Sequence, residues 1–325
     1  MKISSSGSVR VDLLGGTLDL NPINLVIPKV VTLNLATSLQ ARVEIESLES
    51  DEIVIHSRDY NSTKTFKKED LSPEKLASGY FEELSFVVEI INLFIFSGGL
   101  KVTMESDAPT GSGLGGSSAM GVTLYKALAE YTSVALDRDE AIKIVNGLEG
   151  KILDSGPAGY QDYHPALYGG ILGLVAKPGK VKVDQLYSQE LSDFLAKRVT
   201  LVYSGESRLS GINNWEVYKK FFDKDQSTRK GLSGIAEVSW KAYQAIKNQE
   251  FELLPDLMAT EGQLRDDLFP GIVSDGMENL YNKIKASVPN LGMKVCGAGG
   301  GGCFLLIHEE GQSDQVEALV NDGGM

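Results

Sequence analysis

Alternating apolar and polar positions dominate the first hundred residues and predict strands. Residues 30–35 form an apolar run rich in β-branched side chains. Leu39, Ala41, Val43 and Ile45 alternate with polar neighbours, and 53–56 reads as a further short strand. Residues 61–75 are polar and heavily charged, which predicts a surface loop. The period then changes: Leu84, Val88, Ile91 and Ile95 fall at helical spacing, so 81–96 reads as a buried helix. Glu89 and Asn92 interrupt that stretch, leaving it too short and too polar to cross a bilayer. A strand at 100–104 leads into a glycine-rich loop, and Met120, Leu124 and Leu128 predict that the loop opens a helix. Beyond about residue 181 the pattern lengthens into helices at 215–222, 231–248, 251–261 and 275–287. A strand at 303–307 and a helix at 312–320 follow. The chain stops directly after that helix, where an α/β domain commonly adds a strand, so a truncated end is expected. Turn residues in Lys177-Pro-Gly-Lys180 suggest a division into domains 1–178 and 179–325.

Composition narrows the class. Apolar residues make up 42% and charged residues 23% of 325, which suits a water-soluble chain with a large core. The formal net charge is −13, from 31 Lys and Arg against 44 Asp and Glu. A nucleic-acid partner needs cations clustered along a phosphate track, so that class is set aside. Small anions stay open, because a nest of main-chain N–H groups binds phosphate whatever the outer charge. The N-terminus lacks a charged region followed by a long apolar run, so no signal peptide is read. Cys296 and Cys303 are too few for a disulfide framework and lack metal-ligand spacing, which points to a reducing cytoplasm. The oligomeric state is open, a homodimer being one option.

Glycine departs from the ordinary: 35 of 325 residues, many of them in three clusters. The middle cluster is Asp107-Ala-Pro-Thr-Gly-Ser-Gly-Leu-Gly-Gly-Ser-Ser-Ala-Met120. Its small residues let the backbone approach a ligand closely. Because the loop feeds a helix, its N–H groups and the helix dipole converge on one anion site. A tight turn with serine caps is the plain alternative, and Pro109, Gly111, Gly113, Gly115 and Gly116 beside Ser117 and Ser118 argue past it. No Gly-Lys-Ser/Thr follows, so this is not a Walker A loop. The C-terminal cluster is Lys294-Val-Cys-Gly-Ala-Gly-Gly-Gly-Gly-Cys303, which alone could be a flexible hairpin. The N-terminal cluster places Arg10, Asp12 and Asp19 around a turn at Gly15-Gly16, an arrangement that in isolation is usually a solvated strand end. A fourth stretch, Gly159-Tyr-Gln-Asp162, offers a carboxylate able to accept a hydroxyl proton or to orient the hydroxyl.

Pro-x-x-x-Gly-Leu-Gly-x-Ser-Ser-Ala resembles the ATP loop of the GHMP kinases, and the other clusters fit that family in order and spacing. The resemblance implies a two-domain α/β (α+β) architecture with an active site between the domains. The N-terminal domain would be ribosomal protein S5 domain 2-like with a left-handed βαβ unit, the C-terminal one ferredoxin-like. It implies ATP as phosphoryl donor, held by Pro109, Gly111, Gly113, Leu114, Gly115, Gly116, Ser117 and Ser118, with Gly299 and Gly300 of the third motif closing over the nucleotide. Asp162 would act on the attacking hydroxyl, and Arg10 would oppose charge developing on the transferring phosphoryl. Magnesium would bridge the phosphates from Ser117 and Glu149. Asp12, Gly16, Asp19, Gly159 and Arg208 would lie on the substrate side. Galactokinases carry Gly-Glu-His-x-Asp in the first motif. Here Arg-x-Asp-x-x-Gly-Gly-x-x-Asp is similar to the heptose 7-phosphate kinase and fucokinase branch instead.

The reading is therefore a kinase of a sugar or sugar phosphate. A mevalonate-type or galactose-type kinase is the alternative, and a sensor that binds nucleotide and sugar without catalysis is the rival of another class. The sensor would be expected to lose loop glycines or Asp162. His164 is as well read as a packed histidine as a substrate contact. His56 and His308 lie far from any cluster, so no metal set forms from the three histidines. Trp215 and Trp240 read as core or interface aromatics.

Overall fold

The computed structural model describes residues 1–153, 158–206 and 212–323. The chain opens with β1 (Lys2–Leu14), α1 (Ile23–Val26), β2 (Val31–Leu48), β3 (Glu52–Ser57), β4 (Ser62–Lys67), α2 (Pro73–Ala77) and α3 (Ser85–Asn92). It continues through β5 (Gly99–Ser106), α4 (Gly116–Tyr131), α5 (Arg138–Leu153), α6 (His164–Tyr168), β6 (Ile171–Lys177), β7 (Lys180–Gln185), α7 (Gln189–Ala196) and β8 (Val199–Tyr203). It closes with α8 (Asn214–Phe222), α9 (Gln226–Lys247), α10 (Leu254–Leu268), α11 (Asp275–Lys285), β9 (Gly292–Val295), β10 (Cys303–Ile307) and α12 (Ser313–Asp322). Among the described residues no helix is long and apolar enough to cross a membrane.

Two compact units divide the chain, and neither is continuous in sequence. The first comprises Met1–Arg10, Ala36–Pro109 and Gly115–Gly169. In it β4, β3, β5 and the second part of β2 lie side by side, with β3 and β5 parallel and the other pairs antiparallel. Ala41, Val43 and Ile45 point inward while Arg42 faces out, the period of two that a sheet with one covered face requires. Val88 and Ile91 of α3 and Leu124 and Leu128 of α4 are buried with the sheet's apolar face.

The second unit comprises Val11–Leu35, Thr110–Leu114 and Gly170–Met325. There the first part of β2 pairs with β6, and β6 with β7. A separate antiparallel sheet runs β8-β10-β9. All five residues of β10, the central strand, are buried, so it reads as an unbroken apolar run, Cys-Phe-Leu-Leu-Ile. Its core joins Leu18, Leu20 and Ile23 to Ile235, Met277, Ile284, Phe304 and Val316.

Several expectations are corrected. Residues 61–75 are not one loop: 62–67 form the edge strand β4, and α2 follows it. Lys64 and Lys67 keep the exposed edge polar, which hides the strand from hydrophobic patterning. The two strands expected at 30–35 and 39–45 are one 18-residue strand. The helix expected over 81–96 is ordered as α3 only from Ser85 to Asn92, and Ile95 is 96% exposed beyond its end. The Lys177-Pro-Gly-Lys180 turn closes the β6–β7 hairpin inside the second unit. The helix expected at 251–261 runs on to Leu268, which matters below.

Candidate active site

Within the first unit, the glycine-rich loop delivers the chain into α4. Gly115 caps that helix with φ +71°, a left-handed conformation that L side chains avoid. A second constraint also keeps position 115 a glycine. A Cβ there would lie 3.0 Å from Asp162 Cγ and 3.1 Å from its Oδ2. The backbone at the head of α4 thus lies directly against the carboxyl group of Asp162. No acidic residue occupies the first turn of this 16-residue helix, so the carboxyls near its positive end, Asp162 and Glu149, come from other segments. Ser117 is exposed there and Ser118 is buried.

Arg10, near the end of the part of β1 that belongs to this unit, holds Asp162 from the other side. Its Nε donates to Asp162 Oδ1 at 2.9 Å, and Nη2 lies 2.7 Å from the same oxygen. The guanidinium is buried, whereas the Asp162 side chain keeps 25% of its surface exposed. Both contacts converge on Oδ1, and Oδ2 is the oxygen turned toward Gly115. This pair is partly desolvated and still reachable, which is the geometry a carboxylate needs to meet a hydroxyl.

Behind it stands a second carboxyl. Glu149 on α5 is buried; Ser118 Oγ donates to its Oε2 at 2.6 Å, and the Tyr163 hydroxyl donates to the same oxygen. Burial raises the Glu149 carboxyl above its ordinary range, against the Ser118 and Tyr163 donors that favour the charge, with Asp162 adding to the rise. Asn146, one turn earlier on α5, donates to the carbonyls of Ala158 and Gly159 at 3.1 and 3.0 Å, fixing the segment that leads to Asp162. Among the described residues no group of three or more His, Cys, Asp or Glu side chains could hold a metal by itself. Glu149 and Ser117 nevertheless fit a magnesium shared with phosphate. They supply only hard oxygen donors, and Ser118 and Tyr163 engage just one of the two carboxyl oxygens.

The second unit contains a different arrangement of charge. Asp12, Glu261, Arg265 and Lys294 have essentially no exposed surface. Lys294 Nζ lies 3.2 Å from Asp12 Oδ2 and 3.6 Å from Glu261 Oε1, and it donates to the Asp12 carbonyl at 2.9 Å. Arg265 Nη1 lies 3.4 Å from Asp12 Oδ2 and donates to the Val295 carbonyl at 2.8 Å, while Nη2 donates to the Gly297 carbonyl. Glu261 Oε2 accepts the Gly15 amide at 2.6 Å. The same unit docks Thr110–Leu114 onto the third glycine cluster. The Cys303 amide donates to the Ser112 carbonyl at 2.7 Å, and a Cβ on Gly297 would lie 2.6 Å from the Gly113 carbonyl oxygen.

The structure therefore brings some expected residues together and separates others. Arg10, Asp162, Gly115, Gly116, Ser117, Ser118 and Glu149 gather in the first unit, with Gly159 on the segment leading to Asp162. Pro109 is exposed at the end of β5's loop, also in that unit. Gly111, Gly113 and Leu114 belong to the second unit with Gly299 and Gly300, where the Gly300 amide donates to the Ile272 carbonyl at 2.8 Å. Asp12, expected on the substrate side, is buried and faces Arg265 and Lys294. Gly16 is a glycine because a Cβ would lie 2.0 Å from Asp12 Oδ2. Asp19 is buried just past the turn, after Thr17, whose φ of +74° is strained for a β-branched residue. Arg208 lies outside the described residues. His164 is buried between Tyr160 and Tyr168 and its Nδ1 donates to the Tyr160 carbonyl at 2.9 Å, so it packs. Trp215 is half exposed and stacks on Tyr218. Sequence reasoning missed Tyr163, Glu261, Arg265 and the role of Lys294. For the α10 pair a signal existed: Glu and Arg at i and i+4 on one helix, hidden because the helix was ended at Glu261.

A model of the GHMP kinases N terminal domain matches residues 81–170. That stretch therefore carries a GHMP kinase N-terminal domain, and the chain as a whole is similar to GHMP kinases. Enzymes of this family transfer a phosphoryl group from ATP to a hydroxyl of a small molecule, and the matched region carries the loop, Glu149 and Asp162. The D-glycero-alpha-D-manno-heptose 7-phosphate kinase of Campylobacter jejuni is 25% identical over 99% of this chain and 94% of its own length. The bifunctional fucokinase/GDP-fucose pyrophosphorylase of Arabidopsis thaliana is 27% identical over 94% of this chain, which spans only 30% of that longer protein. The crystal structure of the Methanococcus jannaschii mevalonate kinase superimposes with a TM-score of 0.74 at 23% identity, covering 99% of this chain and 95% of that one. The chain thus shares the mixed α/β fold of that structure.

Proposed function

We propose that this chain is a GHMP-type kinase that phosphorylates a hydroxyl of a sugar or sugar phosphate, with an acceptor resembling heptose 7-phosphate favoured. The observation that carries the proposal is the Arg10–Asp162 pair set against the Gly115 backbone at the head of α4. A phosphate seated on the amides of 115–118 would lie beside the Asp162 carboxyl, and a hydroxyl meeting Oδ2 would then be in reach of it. Asp162 either takes the hydroxyl proton or aims the hydroxyl. Arg10 opposes the negative charge that grows on the transferring group, in a site where its own burial makes that charge effective. Magnesium, when bound, would neutralise part of the triphosphate charge, and Glu149 and Ser117 are the residues proposed to hold it. Gly299 and Gly300, with Gly111, Gly113 and Leu114, are assigned to the nucleotide, and Asp19, Gly16, Gly159 and Arg208 to the acceptor.

The sugar preference rests on the first motif, where Gly15-Gly16-x-x-Asp19 replaces the Glu-His pair of galactokinases, and on the Campylobacter relative's named substrate. A cytoplasmic location belongs to the same proposal. ADP release should be measured across galactose, fucose, heptose 7-phosphate and mevalonate with magnesium ATP. Release with a heptose phosphate well above that with the others supports the proposal. Release with mevalonate alone transfers the chain to the other branch, and nucleotide uptake without release on any acceptor favours a sensor.

A further inference from the structure

We infer that Glu261 and Arg265 on α10, together with Lys294 on β9, are positioning residues that hold the Gly15-Gly16 turn and the 297–302 glycine loop in their working conformations. The inference rests on the kinase reading for its consequence in catalysis, while its geometry stands independently. Glycine-rich segments have few side chains to pack, so hydrogen bonds to their main-chain groups do much to fix their course. Such bonds are what the cluster provides. Glu261 takes the Gly15 amide, Arg265 takes the carbonyls of Val295 and Gly297, and Lys294 takes the carbonyl of Asp12, at the strand end leading to that turn.

The partners come from one helical face. Glu261 and Arg265 are four residues apart on α10, so their side chains leave the helix on the same side. Between them Gly262 brings the helix against β9: a Cβ there would lie 2.0 Å from the Met293 carbonyl oxygen. The helix therefore cannot slide without carrying both glycine segments. Two carboxyl groups and two cations meet here, and every one of them also meets main chain or a second charged group. Burying four ionisable side chains is a poor way to gain stability, since apolar residues of like volume do as well. It is an effective way to select one conformation, because any shift leaves a buried charge without its partner.

Two conservative variants separate positioning from mere support. Glu261→Gln keeps an acceptor for the Gly15 amide but weakens it and removes the charge beside Lys294. Arg265→Lys keeps the charge but cannot bridge two carbonyls. Hydrogen exchange of the ligand-free chain should quicken about tenfold at 13–17 in Glu261→Gln and at 296–302 in Arg265→Lys, with exchange at β3 and β5 unchanged. In turnover assays Arg265→Lys should raise the KM for ATP about tenfold, with the acceptor KM within twofold. Glu261→Gln should show the converse. Unchanged exchange at both glycine segments overturns the inference, as does faster exchange spread evenly over the second unit, which marks a structural role only. If exchange responds as expected but the wild-type chain takes up no nucleotide by calorimetry, the positioning role stands and the kinase reading falls.

Discussion

Each compact unit contains a set of opposed charges beside a glycine motif, and the two sets differ in access. In the first, Arg10 is buried but Asp162 keeps a quarter of its side chain open. In the second, Asp12, Glu261, Arg265 and Lys294 are closed off on every side. Both sets oppose carboxyl groups to cations, at 2.7–2.9 Å in the first and 3.2–3.6 Å in the second. What differs is whether a carboxyl oxygen is left for something outside the chain. A half-open pair can change partner during a reaction, whereas a closed quartet can only hold. Burial, more than proximity, therefore separates the group proposed to act on the hydroxyl from the groups proposed to keep the glycines in place.

The sharpest way to break this comparison is to remove one charge from each set. Asp162→Asn should lower kcat by three to four orders of magnitude, about 4–5 kcal/mol in the barrier, with nucleotide affinity by calorimetry and the melting temperature nearly unchanged. Lys294→Met should do the reverse. Taking one partner from a closed ionic cluster costs about 3–5 kcal/mol of stability, read as a lower urea midpoint, while the protein that remains folded keeps most of its kcat. Should Asp162→Asn melt early with kcat intact, or Lys294→Met lose turnover at full stability, the assignment of roles is inverted.

How far these roles were legible depends on the kind of signal each leaves. The loop from Pro109 to Ser118 announces itself, because backbone that must approach an anion needs glycine and the sequence supplies it repeatedly. Asp162 is singled out in the sequence by Gly159 three residues before it. Glu261, Arg265 and Lys294 left no such trace. A buried salt-bridge network looks, in one dimension, like charges on a solvated helix face, and only the pairing across 253 residues between Arg265 and Asp12 reveals it. Asp12 is hard to read for the same reason, since a carboxylate two positions from Arg10 suggests a shared site. The strand alternates its faces, so Arg10 and Asp12 share one side, yet they fall in different units and meet different partners. The edge strand β4 was invisible because its job is to be polar.

A third test probes how closed the surroundings of the half-open pair are. His164, two residues past Asp162, is fully packed, and burial depresses its imidazole to about 4 from an ordinary 6.5. A depressed base means the unfolded chain binds the proton first. Stability should be complete above pH 6.5 and fall as the pH drops toward 4, by about 3 kcal/mol in total. His164→Asn keeps a donor for the Tyr160 carbonyl and removes the titration. Its urea midpoint should vary less between pH 7 and 4.5 than that of the wild type, though it starts lower. Equal slopes would mean that water reaches the ring.

The smallest expected effect sharpens the comparison most, because it concerns a carboxyl that belongs to neither extreme. Glu149 is buried like the quartet, yet it is met by serine and tyrosine hydroxyls, Ser118 and Tyr163 among them, and by no cation among the described residues. A carboxylate so placed is short of positive charge, and a magnesium ion shared with phosphate would supply it. Tyr163→Phe removes one hydroxyl while leaving the ring, the Ser118 bond and the Arg10–Asp162 pair in place. If Glu149 is a ligand, the loss of a group that orients it should raise the half-saturating magnesium concentration about tenfold, about 1.4 kcal/mol, with kcat at saturating magnesium within threefold. Manganese binding in the presence of ADP, followed by electron paramagnetic resonance, should weaken in parallel, which a change in acceptor binding could not produce. If instead the magnesium dependence is unmoved and only stability falls, Glu149 belongs with the closed quartet as a buried strut, and the metal must be held by the nucleotide and Ser117 alone.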